Sequence, residues 1–414
     1  VTDSFAENFL KKVSFRAENI HGKNQRKNCI RYTAVQSEQV NNMIKVLQVN
    51  KLYYPHIGGI ETVVRNIAEG LKNRTDMKVL VCRRNRGKTV DENINGVPVR
   101  KSGSLGVYFS MPVSFPFIRD FKRMSSESDI VHIHMPFPLG DVACLLSGYK
   151  GKVVLSWHSD IVKQKKLMVF YKPFMNYLLK RADKIIVATE GHINGSAYLK
   201  PYRSKCCIIP YGIDTAKYHI EKTVPFLECS SKSSKKVLFI GRLVYYKGID
   251  VLVKAFTKVK GCELFIAGTG KLESELKSEA ENYGMSDRIH FIGSPSDDEI
   301  KLALNDCDIF VLPSVANSEA FGIVQMEAMV YGKPVINTSL PTGVPYVSLD
   351  GITGITVPPS DADALAEALQ KLADNSSLCR KYGENGYKRV RENFSMDKML
   401  DSLYDLYKSE VGTV

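Results

Sequence analysis

The stretch Met43-Ile44-Lys45-Val46-Leu47-Gln48-Val49, carried on through Tyr54-Pro55-His56-Ile57-Gly58-Gly59-Ile60-Glu61, decides the fold. An apolar run of strand length meets a glycine pair, and apolar residues then recur at helical spacing over 60–73. Such a strand–turn–helix unit opens a doubly wound α/β sheet. Gly58 and Gly59 carry no Cβ, so the backbone can approach a diphosphate closely where the helix starts. Their spacing is not that of G-x-G-x-x-G, so a plain nicotinamide enzyme is not indicated.

The alternation continues in both halves of the chain. Strands are expected at 45–50, 77–82, 129–134, 152–157, 184–188 and 205–209, with helical patterns between them, as at 168–182. After a polar stretch at 216–235 the pattern restarts, with strands at 236–241, 262–267, 288–292, 308–312, 334–337 and 354–357. Apolar strands alternating with helices predict parallel sheets covered on both faces. Two runs of strands predict an α/β protein of two facing Rossmann-like domains, 43–215 and 216–394, with ligands in the cleft beyond the carboxyl ends of the strands. Helical patterns at 361–373, 376–391 and 395–409 close the chain, the first N-capped by Asp361 in Asp361-Ala-Asp363. Residues 1–42 show neither helical nor strand periodicity and are expected to be a disordered or non-native extension, with Met43 starting the folded unit.

A chain of 414 residues with 44% hydrophobic and 24% charged residues supports two or three globular domains. No run reaches eighteen uninterrupted apolar residues, so no transmembrane helix is expected, and the Lys-rich start does not resemble a signal peptide. Nine scattered cysteines without a CxxC predict reduced, buried thiols in a cytosolic protein. Charge is unevenly shared: residues 43–215 hold 27 Lys and Arg against 13 Asp and Glu (net +14), whereas 216–414 hold 23 against 27 (net −4). A basic front half favours a polyanionic partner, whether nucleic acid, an anionic membrane surface or a phosphorylated acceptor.

The chemistry-bearing residues fall at strand ends. In Ser318-Glu319-Ala320-Phe321-Gly322-Ile323-Val324-Gln325-Met326-Glu327, two carboxylates straddle an expected helix start. Eight helical residues rise about 12 Å, the length of a nucleotide sugar. Ala320, Phe321, Gly322, Ile323 and Val324 are expected to form a first turn that attracts phosphate. Arg242 and Lys247 in Gly241-Arg242-Leu-Val-Tyr-Tyr-Lys247-Gly248 follow the first strand of the second half and could neutralise a departing diphosphate. His158 emerges at the carboxyl end of the strand at 152–157, where it could meet a sugar hydroxyl. His132 and His134 alternate along a strand and are expected on opposite faces, which disfavours a shared metal and leaves packing or acceptor contacts. Asp306-Cys-Asp308 resembles a metal-binding D-x-D but lies at a helix-to-strand junction, so capping and turn roles are expected. Cations alternate with Phe170, Phe174, Tyr177 and Leu178 over 163–181, a pattern suited either to an anionic bilayer surface or to an ordinary core helix. The segment 105–118, with Val107, Phe109, Phe115 and Phe117, is a second candidate for apolar acceptor contacts.

Over about 43–410 the chain resembles the GT-B retaining glycosyltransferases of family 4. The resemblance rests on the Gly58-Gly59 loop, Gly241-Arg242 with Lys247-Gly248, Gly268-Thr269-Gly270, and Glu319 and Glu327 preceded by Pro313-Ser314. It implies that Arg242 and Lys247 hold the donor diphosphate, Glu327 the ribose and Glu319 the transferred hexose. The Phe321–Val324 backbone would face phosphate and sugar, with Gly268 and the Gly58-Gly59 loop completing the donor pocket, and His158 would contact the donor sugar as a catalytic residue. It also implies that the helix in 395–414 crosses back to the first domain. Two departures stand out: Tyr211, in Ile209-Pro210-Tyr211-Gly212, where relatives generally carry Asn, and Lys271 in place of a common Pro.

The implied reaction transfers a hexose from a UDP- or GDP-sugar with retention, by front-face substitution, because no carboxylate nucleophile is evident beside His158. Arg and Lys supply the positive charge, so neither a metal nor a cofactor is expected. The expected acceptor is lipid-diphosphate-linked or a glycan of a bacterial surface polysaccharide, met by a peripheral protein at the cytoplasmic membrane face. A nonhydrolysing sugar-nucleotide epimerase on the same fold is the alternative; it needs acid–base groups on both sides of the sugar, and only His158 is suitably placed. Nucleic-acid binding would account for the basic half but not for the paired glutamates.

Overall fold

Strand-length runs of Val, Ile and Leu bounded by turns build two sheets, one from each half of the chain. The computed structural model describes residues 43–412, apart from 57, 109–110, 161–164 and 222–223 and the side chains of 165–170. The expectations for 1–42, Phe109 and Phe170 lie outside the described residues. The first half runs β1 (Lys45–Val49), α1 (Gly59–Leu71), β2 (Asp76–Cys82), β3 (Val90–Ile94), β4 (Val97–Ser102), β5 (Val107–Tyr108), β6 (Met111–Pro112), α2 (Pro116–Ser125), β7 (Ile130–Met135), α3 (Pro138–Ser147), β8 (Lys152–Trp157), α4 (Lys165–Arg181), β9 (Lys184–Val187), α5 (Glu190–Gly195) and β10 (Cys206–Ile208). The second runs β11 (Lys235–Ile240), α6 (Ile249–Phe256), β12 (Cys262–Ala267), α7 (Glu273–Asn282), β13 (Ile289–Gly293), α8 (Asp297–Asp306), β14 (Ile309–Val311), α9 (Ile323–Val330), β15 (Val335–Thr338), α10 (Val344–Val347) and β16 (Gly354–Val357). The helices α11 (Ala362–Ala373), α12 (Ser376–Asn393) and α13 (Met396–Val411) follow.

The second sheet has the order β13-β12-β11-β14-β15-β16, all parallel. This is the doubly wound order, whose switch point lies between its first and fourth strands. The first sheet, β10-β9-β8-β7-β1-β2-β4-β3, has its switch between β1 and β7. It is not wholly parallel: β3 and β4 form an antiparallel hairpin at the edge, which the alternation of strands and helices did not predict. Its signal is local, because Asn95 (φ 52°) and Gly96 (φ 87°) form a two-residue turn of the kind that favours Asn-Gly. Strands covered on both faces are apolar throughout, as in β12, where every residue is buried. Capping follows the expectation at Asp361, whose carboxylate accepts from the backbone N–H groups of Asp363 and Ala364.

Helix α13 packs back on the first sheet. Leu400, Leu403 and Tyr407 are buried there with Val64, Ile67 and Leu71 of α1, and the Leu400 side chain lies over Gly70. Arg74 pairs with Asp401 at 2.6 Å, and Glu410 lies near Lys152 and Lys184. Helix α4 turns Tyr171, Met175, Leu178 and Leu179 into the core, leaving Phe174 and Tyr177 outward beside Lys172 and Lys180. Leu178 therefore belongs to the core rather than to an outer face. Phe117 is likewise fully buried, whereas Phe115, 76% exposed, and Tyr108, 57% exposed, face solvent.

Candidate active site

The carboxyl end of β11 sends the chain into Gly241-Arg242 and a tight turn ending at Lys247, while β14 leads through Pro313-Ser314 towards Glu319. Both loops leave the sheet at its switch point, so they meet. The Lys247 ammonium lies 2.5 Å from Glu319 Oε2, and both side chains are largely buried. Ser314 Oγ donates to the same oxygen at 3.2 Å. A charge-assisted contact removed from water is stronger than its exposed counterpart and fixes both groups in one geometry. Arg242 is exposed and held by a hydrogen bond from Nη2 to the Tyr246 hydroxyl at 2.9 Å. The loops themselves are locked by glycine: a Cβ on Gly268 (φ 135°) would overlap the Gly241 carbonyl oxygen.

Helix α9 starts later than its sequence suggests. Ala320, Phe321 and Gly322 lie outside it, because Gly322 adopts the left-handed region (φ 72°, ψ 58°) and serves as the N-cap of a helix beginning at Ile323. A Cβ there would come 2.5 Å from Leu312 Cδ2, so the position excludes larger residues on steric as well as conformational grounds. Glu319 and Glu327 are thus joined by a bent segment rather than one straight helix. Glu327, in the second turn, accepts a 3.0 Å hydrogen bond from Tyr218, and burial raises its carboxyl pKa above the ordinary value. In the first domain, Gly58 caps α1, and a Cβ built on Gly59 would meet nothing within 4 Å. That backbone faces open space.

His158 follows β8 as expected, but it is buried and both ring nitrogens are engaged: Nε2 with His134 Nδ1 at 2.9 Å and Nδ1 with the Tyr211 hydroxyl at 2.6 Å. Burial, with the nearby His192 and Lys51, lowers its pKa to about 3, so it is neutral. His132 and His134 do not point to opposite faces. Residues two apart on a strand share a face, and their ring centroids are 4.5 Å apart. Asp306 and Asp308 do carry the expected structural roles: Asp306 accepts from the backbone of Phe226 and Leu227, and Asp308 from that of Lys236. Asp160 turns to Trp157 Nε1 and Ser196 Oγ rather than to His158.

Two further residues at the site, Tyr218 and His192, escaped the sequence reading, and Tyr211 stood out there only as a departure from relatives. Tyr211 packs edge-on against Phe321 at 4.9 Å, placing a ring of the first half against the loop before α9. Tyr218 holds Glu327. His192 is buried beside the Gly343 backbone, with Nδ1 on Thr189 Oγ1 and no partner for Nε2 among the described residues. Its signal was weaker than that of His158: it lies in Thr189-Glu190-Gly191-His192, five residues past the end of β9 and inside α5.

Two facing Rossmann-like domains whose ion pair and imidazole lie at the carboxyl edges of their sheets define the GT-B architecture. Residues 57–217 match the model described as Glycosyltransferase Family 4, and residues 228–389 match Glycosyl transferases group 1. The O-antigen chain mannosyltransferase C of Escherichia coli is 31% identical over 370 residues, covering 88% of this chain and 98% of the relative. The D-rhamnosyltransferase WbpZ of Pseudomonas aeruginosa is 34% identical over 286 residues, 68% of this chain and 74% of its own. The chain belongs to the family 4 glycosyltransferases. Among solved structures, sucrose-phosphate synthase from Thermosynechococcus elongatus superposes with a TM-score of 0.72 at 21% identity, covering 88% of this chain and 98% of the other. Anabaena HepE, solved in complex with UDP-glucose, gives 0.70 at 17%, with 88% and 100% covered. These likenesses concern the fold. Among the described residues, no helix is long and apolar enough to cross a membrane.

Proposed function

We propose that this glycosyltransferase moves a hexose from a UDP- or GDP-sugar to a lipid-diphosphate-linked or glycan acceptor, retaining the anomeric configuration and needing no metal. Residues 216–394 bind the donor, residues 43–215 the acceptor, and the helix in 395–414 belongs with the acceptor side. The Lys247–Glu319 contact carries the reading, because it sets a cation for phosphate and a carboxylate for sugar hydroxyls side by side at a switch point. Arg242 offers a two-pronged donor to the diphosphate and Lys247 a point charge, together neutralising the leaving group as the glycosidic bond breaks. The departing phosphate oxygen takes the acceptor's proton on the same face. Glu319 orients the hexose, a positioning contribution. Glu327 receives the ribose hydroxyls, and the backbone from Phe321 to Val324 faces phosphate and sugar. Gly58, Gly59 and Gly268 let main chain approach the ligand. His158 stands on the sugar's other side.

Relatives named for mannosyl and rhamnosyl transfer support a hexose of that kind, and the O-antigen relative supports a bacterial surface polysaccharide as product. An acceptor at the cytoplasmic face of an anionic membrane is supported by the loop that leaves the carboxyl end of β4. It exposes Leu105, Val107, Tyr108, Val113 and Phe115, with Lys88 and Arg119 lining the adjoining groove. The relatives are transferases, and the epimerase alternative gains nothing from them. Arg242→Ala is expected to lower turnover by about 10² to 10³-fold while circular dichroism and melting stay unchanged; near-normal turnover refutes the role. Screening UDP- and GDP-sugars for a rise in melting temperature identifies the donor, since only a ligand of the native state stabilises it by mass action.

A further inference from the structure

A continuous chain of hydrogen bonds runs from the cleft into the C-terminal helix. Tyr211 OH meets His158 Nδ1 (2.6 Å), and His158 Nε2 meets His134 Nδ1 (2.9 Å). His134 Nε2 meets Gln48 Oε1 (2.7 Å), and Gln48 Nε2 donates to Tyr407 OH (2.9 Å). Tyr407 OH meets His132 Nδ1 (2.6 Å), and His132 Nε2 meets Ser156 Oγ (2.7 Å). Apart from Tyr211, every member is buried. A neutral imidazole has one donor and one acceptor nitrogen, so fixing one bond fixes the next. The Gln48 carbonyl oxygen can only accept, hence His134 carries its proton on Nε2 and accepts at Nδ1. His158 must then donate from Nε2 and accept at Nδ1, which makes Tyr211 the donor there. On the far side Gln48 donates to Tyr407, Tyr407 to His132, and His132 to Ser156. All six bonds therefore point the same way, from the cleft inwards. Rotating the Gln48 amide by half a turn would reverse all of them together. The Gln48 side chain sets the polarity, since its Oε1 faces His134 and its Nε2 faces Tyr407.

We propose that Tyr407 is a positioning residue: the one-way chain holds His158 as its Nε2–H tautomer, and His158 in turn holds the Tyr211 hydroxyl so that the phenol oxygen, not an imidazole nitrogen, is the acceptor presented to a substrate hydroxyl. The proposal rests on the reading of His158 as part of the reacting site and gives a function to the tyrosine that departs from the residue relatives generally carry. It also gives α13 a part in the site, because Tyr407 keeps the Gln48 amide from turning.

Long-range 1H–15N spectra of the whole chain, with each histidine assigned by substitution, read the tautomers directly. The expected result for wild type is neutral Nε2–H forms of His132, His134 and His158; an Nδ1–H form of His158 overturns the proposal. Tyr407→Phe leaves Gln48 free to rotate, so His158 is expected to become a mixture of tautomers while kcat falls about tenfold with little change in donor KM. If Tyr407→Phe lowers only the melting temperature and leaves tautomer and kcat untouched, Tyr407 is merely structural and the proposal fails. A His158→Ala variant with undiminished turnover would instead remove the catalytic reading of His158, while the wild-type tautomer result would stand.

Discussion

Four histidines set the pH behaviour of this protein at the level of single residues. Burial lowers His132 and His158 to about 3, His192 to about 4, and His134 well below its ordinary value. In the unfolded chain each would titrate near 6.5, so below that pH the unfolded state binds more protons than the folded one. The contribution of these histidines is therefore complete above about pH 7 and is lost as pH falls towards the folded values, whereas buried Asp141, raised to about 7, acts in the opposite sense. At pH 5 His132, His158 and His192 each account for about 2 kcal/mol of that loss. Urea midpoints measured at pH 7.5 and pH 5 should differ accordingly, and His132→Gln should flatten the dependence; a midpoint independent of pH contradicts it. Glu327 works the opposite way: its raised pKa favours the neutral acid in the free protein, whereas ribose hydroxyls would favour the carboxylate. Binding of the fitting nucleotide should therefore release protons near the carboxylate range, a release absent in Glu327→Gln and measurable by titration calorimetry in buffers of different ionisation enthalpy. Residue types and spacing flagged His158, Arg242, Lys247, Glu319 and Glu327 beforehand. They could not show that His158 has no free nitrogen, because its partners His134 and Tyr211 come from other strands and loops.

Among the elements, glycines of the two domains do different work. Gly268→Ala forces a methyl group into the Gly241 carbonyl at a φ of 135°, so the two donor loops must separate. A melting-temperature loss of about 6 to 12 °C is expected, from roughly 3 kcal/mol of combined clash and strain. Gly59→Ala meets no protein atom and sits in the first turn of α1, where alanine favours helix. Its stability should hold or rise slightly while affinity for the nucleotide sugar falls, because the space above Gly59 is where ligand would lie. Equal effects of the two substitutions on stability would show that Gly59 has only a packing role. Strand and helix positions were legible because parallel strands are uniformly apolar and helices keep their own period. The start of α9 was misplaced by three residues, since the left-handed turn at Gly322 depends on Leu312 packing beneath it. The β3–β4 hairpin was legible in Asn95-Gly96 and was passed over because the strand–helix rhythm dominated.

Charge and apolar exposure act together across the whole molecule. The net +14 of residues 43–215 and the exposed loop around Phe115 belong to the same domain. Exposed cations are screened within about 10 Å at 0.1 M salt. Flotation with anionic vesicles is therefore expected at low salt, weakened by salt, and further weakened by the double substitution Tyr108→Ser with Phe115→Ser; no flotation at low salt removes the membrane from the proposal. The sequence by itself determined the two doubly wound domains, the basic and acidic halves, and the cations and carboxylates at strand ends, because periodicity and residue chemistry are local properties. Only the tertiary structure decided that Lys247 would meet Glu319, that Tyr211 would cap His158, and that Tyr407 near the far end of the chain would reach the same histidines. Those contacts join segments brought together by sheet order and by the return of α13, and no short-range pattern encodes which loops will face each other.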